Sequence, residues 1–122
     1  MLREVLLAAH EQSLAQFGGS GGLRDEGLLD SALHRPLNLL AYGKPSPFDL
    51  AASYAFGIIK NHPFVDGNKR TGFIAAVVFL ELNGYDFRAS EVDATLQTLA
   101  LAAGETSEAA FSKWLKVNSK RA

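Results

Sequence analysis

The chain contains no cysteine, so neither disulfide bonds nor thiolate metal sites contribute to its fold or chemistry. It also lacks a strong charge of either sign, since 12 basic and 13 acidic residues give a net charge of −1. Broad, sequence-independent nucleic-acid binding needs a basic face, so we expect no direct nucleic-acid partner. The most apolar stretch, residues 73–82, is about half the length of a membrane span, which predicts no membrane association.

The length and composition predict one ordinary globular domain over residues 1–122. Hydrophobic residues make up 48% of the chain, a usual fraction for a protein that buries one core. The N-terminus carries an early acid, Glu4, and no long apolar segment, so it does not read as a signal peptide. Together with the absence of cysteine, these features favour a cytoplasmic location.

Apolar residues recur at helical spacing through most of the chain. Before the middle of the chain they predict a first helix from Leu2 to Phe17, a glycine-rich loop at 18–22, and a second helix capped by Asp25. We expect the second helix to stop near Arg35 and Pro36, because a proline disfavours helix at the residue before it. Residues 37–48 then predict an irregular segment, and Asp49 is a candidate cap for a third helix.

Three more helices are predicted after that point. The fourth, Asn68 to Leu82, is apolar nearly all round and should be central and buried. Ser90 is a candidate cap for a fifth helix ending at Gly104, and Ser107 opens a sixth, with a short strand at 85–88 between. The fold class is therefore all-α, a compact bundle of about six helices around a central buried helix.

The nine residues between the third and fourth helix patterns hold the most chemistry-bearing side chains. Each has an ordinary structural interpretation when taken alone, such as a helix-end histidine, a turn or a helix cap. Their convergence on one helix start, where cations oppose the helix dipole, indicates instead an anion site of the kind that handles phosphate. The run reads His62, Pro63, Phe64, Val65, Asp66, Gly67, Asn68, Lys69, Arg70.

Residue chemistry predicts a role for each polar member of this run. A histidine held near neutrality can take a proton from a hydroxyl, which makes His62 the candidate general base. Asp66 is the only carboxylate and the candidate Mg²⁺ ligand, and Gly67 lets the backbone approach a ligand closely. Phosphate binding is expected from the remaining side chains, a shape-holding amide and two cations: Asn68, Lys69, Arg70.

The run from His62 to Arg70, followed by Thr71 and Gly72, resembles the signature of the Fic/Doc superfamily, and specifically that of death-on-curing (Doc) toxins of bacterial toxin–antitoxin modules. Fic enzymes that transfer AMP carry a glycine where this chain has Lys69 and an arginine where it has Phe73. The resemblance therefore implies the Doc reaction, an ATP- and Mg²⁺-dependent transfer of the γ-phosphate to a threonine of elongation factor Tu, which halts translation. His62, Asp66 and Lys69 would then be the catalytic residues.

Two alternatives stay open at this point. Pro63 and Gly67 resemble the Fic form of the motif, which keeps AMP transfer as a second reaction. A non-catalytic module that only binds a nucleotide or a protein is the third interpretation.

The resemblance also implies control by a separate, Phd-like antitoxin that folds into a helix on binding. The self-inhibitory Ser/Thr-x-x-x-Glu element of other superfamily members is not found at residues 107–118. Beside residues 43–48, four apolar residues are candidates either for part of a groove for the antitoxin helix or for the core: Leu37, Leu39, Leu40, Tyr42. Outside this region, we expect His10 to be solvent-exposed, His34 to interact with a helix end, and Arg24 to be a candidate for approaching the site.

Overall fold

A computed structural model describes residues 3–122, and in that part of the chain almost all regular structure is helical. This confirms the all-α prediction. Leu2, which the sequence placed in the first helix, lies outside the described residues. The elements are α1 (Arg3–Phe17), α2 (Glu26–Tyr42), α3 (Pro47–Asn61), α4 (Asn68–Leu82), β1 (Tyr85–Phe87), α5 (Glu91–Ala103), α6 (Glu108–Val117) and β2 (Ser119–Arg121).

Short polar side chains cap four of the six helices. Asp25, Ser90 and Ser107 each accept a hydrogen bond from a backbone N–H in the first turn, as their sequence context predicted. The prediction that Asp49 caps α3 is wrong. Ser46 is the cap, and Asp49 completes a capping box from the third helical position, so Pro47 begins the helix where its missing N–H costs nothing.

The predicted end of α2 near Arg35 and Pro36 is also wrong, because the helix runs through Pro36 to Tyr42. The proline removes only one intrahelical donor, while its own ring is buried and Arg35 lies 4.6 Å over the ring of Phe56 on α3. Tertiary packing thus outweighs the local preference. His34 is consequently inside a helix, where its Nδ1 lies 2.8 Å from the Asp30 carbonyl oxygen, and it does not interact with a helix end.

The predicted strand at 85–88 forms as β1 and pairs antiparallel with β2, which the sequence pattern did not indicate. Tyr85 pairs with Arg121 and Phe87 with Ser119. The backbone of Arg88 continues the ladder by donating to Asn118 at 2.7 Å. This small ribbon fixes the segment between α4 and α5.

Two clusters of buried side chains form the core, and α3 contributes to both. One joins α3 to the C-terminal helices through Phe111 and Leu115, and the other joins α3 to α1, α2 and Phe64. The central position predicted for α4 is shared with α3, which is the more completely buried of the two. Within residues 3–122, no helix is both long enough and apolar enough to cross a membrane.

Candidate functional site

The nine-residue run forms the turn that joins α3 to α4. His62 follows the last residue of α3 with φ 50° and ψ 55°, and its N–H still donates to the Ile58 carbonyl at 3.1 Å. Among the described residues it is the one non-glycine side chain with a left-handed backbone. Such a conformation costs a residue with a Cβ about 1–2 kcal/mol, so the surrounding contacts must hold it in place.

Two buried residues, Phe64 and Asn68, fix the shape of the turn. The side-chain oxygen of Asn68 accepts from the Phe64 N–H, and its amide nitrogen donates to the Phe64 carbonyl, both at 2.9 Å. These paired bonds fill both ends of the amide. The Asn68 side chain therefore holds the shape of the turn, one of the two roles predicted for it, and its backbone N–H lies at the helix start.

Asn68 also contacts the ring of His62. The amide nitrogen of Asn68 lies 3.4 Å from His62 Nδ1, and a donor there favours the tautomer with its proton on Nε2. The distance is long for a hydrogen bond, so this preference is weak. The ring is exposed and lines the cleft described below, so a molecule bound there can reach it.

The carboxylate of Asp66 is exposed and turned towards backbone donors. Its Oδ1 accepts from the Gly67 N–H at 2.8 Å, and its Oδ2 lies 3.4 Å from the Ser20 N–H. Two acceptor oxygens leave lone pairs for a cation, so the residue fits the role of a single Mg²⁺ ligand. Residues 3–122 hold no group of three or more His, Asp or Glu side chains that could bind a metal.

Positive charge gathers at the start of α4. Lys69 and Arg70 are exposed, and neither forms an ion pair within the described part of the chain. The Arg70 guanidinium lies 4.6 Å above the ring of Phe17 at the end of α1. Gly67 has φ 75° and no side chain to cap the helix, so the free N–H groups of the first turn and both cations can face an anion.

All six predicted site residues line one cleft of about 910 Å³. The turn and the first turn of α4 form its polar end: His62, Asp66, Gly67, Asn68, Lys69, Arg70. The other end is apolar and lies between α4, β1 and α5, with Phe73, Ile74, Val77, Phe87 and Leu99 in its wall. The cleft can therefore take a molecule with a charged end and a flat or apolar end.

The prediction that His10 is exposed is wrong. Its side chain is buried at 3% exposure, its ring stacks on Phe64 with centroids 3.8 Å apart, and its Nε2 lies 2.9 Å from the Asp66 carbonyl oxygen. The buried face of α1 consists of Leu6, His10 and Ser13, which mixes polar with apolar residues. In the sequence, only the i, i+4 spacing from Leu6 indicates that His10 is buried. The loop that it contacts is more than fifty residues away along the chain.

Arg24, the candidate for approaching the site, does reach the turn. It lies before α2 and is not part of that helix. Its guanidinium donates to the carbonyls of His62 at 2.6 Å and Asn61 at 2.9 Å. The backbone N–H groups of Arg24 and Asp25 both donate to Pro63. The segment after the glycine-rich loop therefore holds the strained backbone of His62 from the outside.

Comparison with known proteins gives a consistent set of relatives. The profile of the Fic/DOC family matches residues 2–80. The "Toxin Doc" of Mycolicibacterium smegmatis is 45% identical over 76 residues, which cover 60% of this chain and 58% of that protein. The "Protein kinase doc" of Escherichia phage P1 is 32% identical over 114 residues, covering 93% of this chain and 90% of the phage protein. The match to the mycobacterial protein thus spans little more than half of its length.

Proposed function

Since the chain belongs to the Fic/DOC family, we propose that it is a Doc-type toxin, an ATP-dependent protein kinase that modifies a translation factor. The names of the two relatives, a toxin and a protein kinase, support this assignment. A threonine of an elongation factor Tu-like protein is the proposed acceptor. Translation in the cytoplasm would stop as a result.

The single observation that carries the kinase reaction is the pair of side chains in the cleft wall, Lys69 and Phe73. In AMP-transferring Fic enzymes these positions would hold a glycine and a phosphate-binding arginine. Here Phe73 packs its ring 5.8 Å from that of Phe87 and has no donor to offer a phosphate. Cationic contacts are thus concentrated at Lys69 and Arg70, close to His62, which suits transfer of a terminal phosphate.

The reaction needs a base, an anion site and a route for the leaving group. His62 accepts the proton of the acceptor hydroxyl as the oxygen bonds to the γ-phosphorus of ATP. The bond between the γ-phosphorus and the bridging oxygen breaks, and ADP leaves with the negative charge. Lys69, Arg70 and the N–H groups at the start of α4 stabilise the charge on the transferring group.

Asp66 is the residue proposed to hold Mg²⁺, which when bound would neutralise phosphate charge. Asn68 contributes by fixing the turn through its two bonds to Phe64. Gly67, with its positive φ, keeps the backbone beside the phosphates free of a side chain.

A separate, Phd-like antitoxin is the proposed inhibitor, with a segment that folds into a helix on binding. The predicted groove residues support this part of the proposal through their exposure on the second half of α2. Leu37, Leu40 and Tyr42 are 54%, 53% and 91% exposed, and Leu39 and Tyr42 line a second cleft of about 500 Å³.

Two labelled nucleotides test the reaction. Purified protein is incubated with Mg²⁺, a bacterial extract, and ATP labelled either at the γ- or at the α-phosphorus. We expect γ-label on one protein band and no α-label. Transfer of α-label would instead establish AMP transfer, which the open backbone at Gly67 favours as the second candidate. Absence of both labels, with ATP bound, would indicate a binding module and contradict the proposed enzyme.

A further inference from the structure

His10 is a buried polar side chain that takes no part in the proposed chemistry but contacts the turn that carries it. It is 3% exposed, and its ring is nearly parallel to that of Phe64, with an angle of 12° between the planes. A buried ring nitrogen needs a hydrogen-bond partner, and the Asp66 carbonyl at 2.9 Å is that partner for Nε2. Because a carbonyl only accepts, Nε2 must carry a proton.

This hydrogen bond determines which way the peptide between Asp66 and Gly67 faces. In a trans peptide the C=O and N–H groups point in opposite directions. With the Asp66 carbonyl held towards His10, the Gly67 N–H points away from the His10 ring and donates to the Asp66 carboxylate at 2.8 Å. His10 therefore acts on the proposed Mg²⁺ ligand through one peptide unit.

The alternative orientation of that peptide is open to the backbone unless something prevents it. Gly67 has no Cβ and sits at φ 75°, so rotation of the peptide meets little steric resistance there. A rotated peptide would leave the carboxylate of Asp66 without its N–H donor and would turn a carbonyl oxygen towards it. That negative dipole would oppose both the present position of the carboxylate and a nearby phosphate.

We propose that His10 is a positioning residue for the phosphate site, holding the Asp66–Gly67 peptide with its N–H towards the carboxylate. The assignment of the site as a nucleotide site rests on the proposed function. The orientation of the peptide does not, so the two can be tested separately. His10 touches neither the nucleotide nor the acceptor in this role.

Three variants of the full chain separate the hydrogen bond from the packing. His10→Phe keeps an aromatic ring against Phe64 and removes the donor, whereas His10→Gln keeps an N–H near the position of Nε2 and removes the ring. Ser13→Ala is the matched control, because Ser13 is buried on the same face of α1 and its hydroxyl has no partner among residues 3–122. Binding of Mg·ATP and the melting temperature are measured for each variant.

We expect His10→Phe to weaken Mg·ATP binding about tenfold, the usual effect of one unmade hydrogen bond to a part-buried group. Its melting temperature should fall no further than that of His10→Gln, because the ring still packs on Phe64. His10→Gln should remain within about threefold of wild-type affinity, and Ser13→Ala should match it. Wild-type affinity in His10→Phe would overturn the proposal. Affinities that simply follow the melting temperatures of the three variants would also overturn it, because the effect would then come from stability and not from the hydrogen bond.

A spectroscopic measurement on the unliganded protein is independent of activity. At pH 8, nitrogen-15 NMR of the wild type should place the His10 proton on Nε2, and the Gly67 amide signal should move in His10→Phe and return towards its original position in His10→Gln. A proton on Nδ1, or an unmoved Gly67 signal, would refute the positioning role. If the wild type transfers no phosphate from ATP, the proposed function fails while these NMR results still decide the role of His10.

Discussion

His62 combines an exposed imidazole with a backbone conformation that any side chain larger than glycine disfavours. Glycine would relieve the strain at this position, and the proposed role of the ring as a base offers a reason for a histidine there. The turn holds the conformation through contacts made by neighbours, including the two hydrogen bonds from Arg24 to the carbonyls of Asn61 and His62. The contacts of the turn thus offset the backbone strain, and the exposed ring is available for its proposed role.

Replacing His62 with alanine should reduce phosphate transfer about a hundredfold or more while the protein stays folded, because the proposed base is lost but no packed side chain is. His62→Gly should be equally inactive yet more stable than His62→Ala by about 1 kcal/mol, since glycine tolerates positive φ. The measurements are γ-label transfer and urea unfolding.

His34→Ala is the matched control for loss of a histidine. His34 is exposed on α2, and its Nδ1 contacts the Asp30 carbonyl of the same helix. Activity should be unchanged in this variant. Full activity in His62→Ala would remove the proposed base from the mechanism.

At the scale of elements, α4 reaches its place through a close approach to α3 at Gly72. A Cβ built on Gly72 would lie 2.8 Å from Ile59 Cγ1 and 3.1 Å from the Ala55 carbonyl oxygen. The two helices therefore touch almost backbone to backbone, directly after the first turn of α4, which carries the proposed phosphate-binding residues. The position of the cationic first turn depends on this contact.

Gly72→Ala should lower the free energy of unfolding by about 1–2 kcal/mol, because overpacking against α3 outweighs the better helix propensity of alanine. Gly43→Ala is the control, since its added Cβ would meet only the Leu39 carbonyl at 3.6 Å and its backbone is extended. That variant should stay within about 0.5 kcal/mol of the wild type. Equal stability of the two variants in urea titrations would contradict the close packing of α3 and α4.

A second link between elements joins the start of α3 to α6. The hydroxyl of Ser112 donates to Asp49 Oδ1 at 2.7 Å, while Asp49 Oδ2 accepts from the Ser46 N–H. The hydrogen bond from Ser112 is the main reason that the pKa of Asp49 lies below its usual 3.8, and the bonds to Ser46 lower it further. A lowered pKa means that the charged carboxylate stabilises the fold at neutral pH.

Ser112→Ala should lower the free energy of unfolding by about 1 kcal/mol at pH 7. In the wild type, the charged carboxylate of Asp49 contributes to the free energy of unfolding at neutral pH. This contribution is lost as the pH falls below 3.8, the usual pKa, and then through the lower pKa of the folded state. The difference between the two proteins should therefore shrink at pH 3. Urea unfolding at both pH values measures it. Ser53→Ala, which removes a buried hydroxyl without a partner among residues 3–122, should show no such pH dependence.

At the scale of the whole molecule, the cleft is assembled from segments distant in sequence. Its wall draws on the end of α1, the turn before α4, β1 and α5. The glycine-rich loop and Arg24 hold the turn from one side, and His10 holds it from another. The site therefore exists only when the N-terminal and C-terminal parts of the chain pack on the same pair of helices, α3 and α4.

The proposed toxin activity predicts the behaviour of living cells. Expression of the wild-type chain alone in a bacterial host should stop growth, and His62→Ala should restore it at equal protein level. Co-expression with the gene encoded directly beside it should also restore growth if that gene encodes the antitoxin. Normal growth in the presence of abundant, folded wild-type protein would contradict the toxin assignment.

Local signals in the sequence were enough where a helix end depends on a neighbouring side chain. Ser90 and Ser107 cap their helices because a hydroxyl three residues before an N–H can reach it whatever the rest of the chain does. The bounds of α4 followed from the apolar run between Asn68 and Leu82. The chemistry-bearing turn could be identified for the same reason, since its members are adjacent in the chain.

By itself, then, the sequence determined the all-α class, most helix ends and the chemical content of the turn, all of which depend on residues close together along the chain. Only the tertiary structure decided that α2 continues through Pro36, that β2 pairs with β1, and that His10 is buried against Phe64. Each of these depends on a partner far away in sequence. At Pro36, packing outweighs the preference of proline against a helix interior, which is about 3 kcal/mol. Periodicity along one segment carries no information about such a partner.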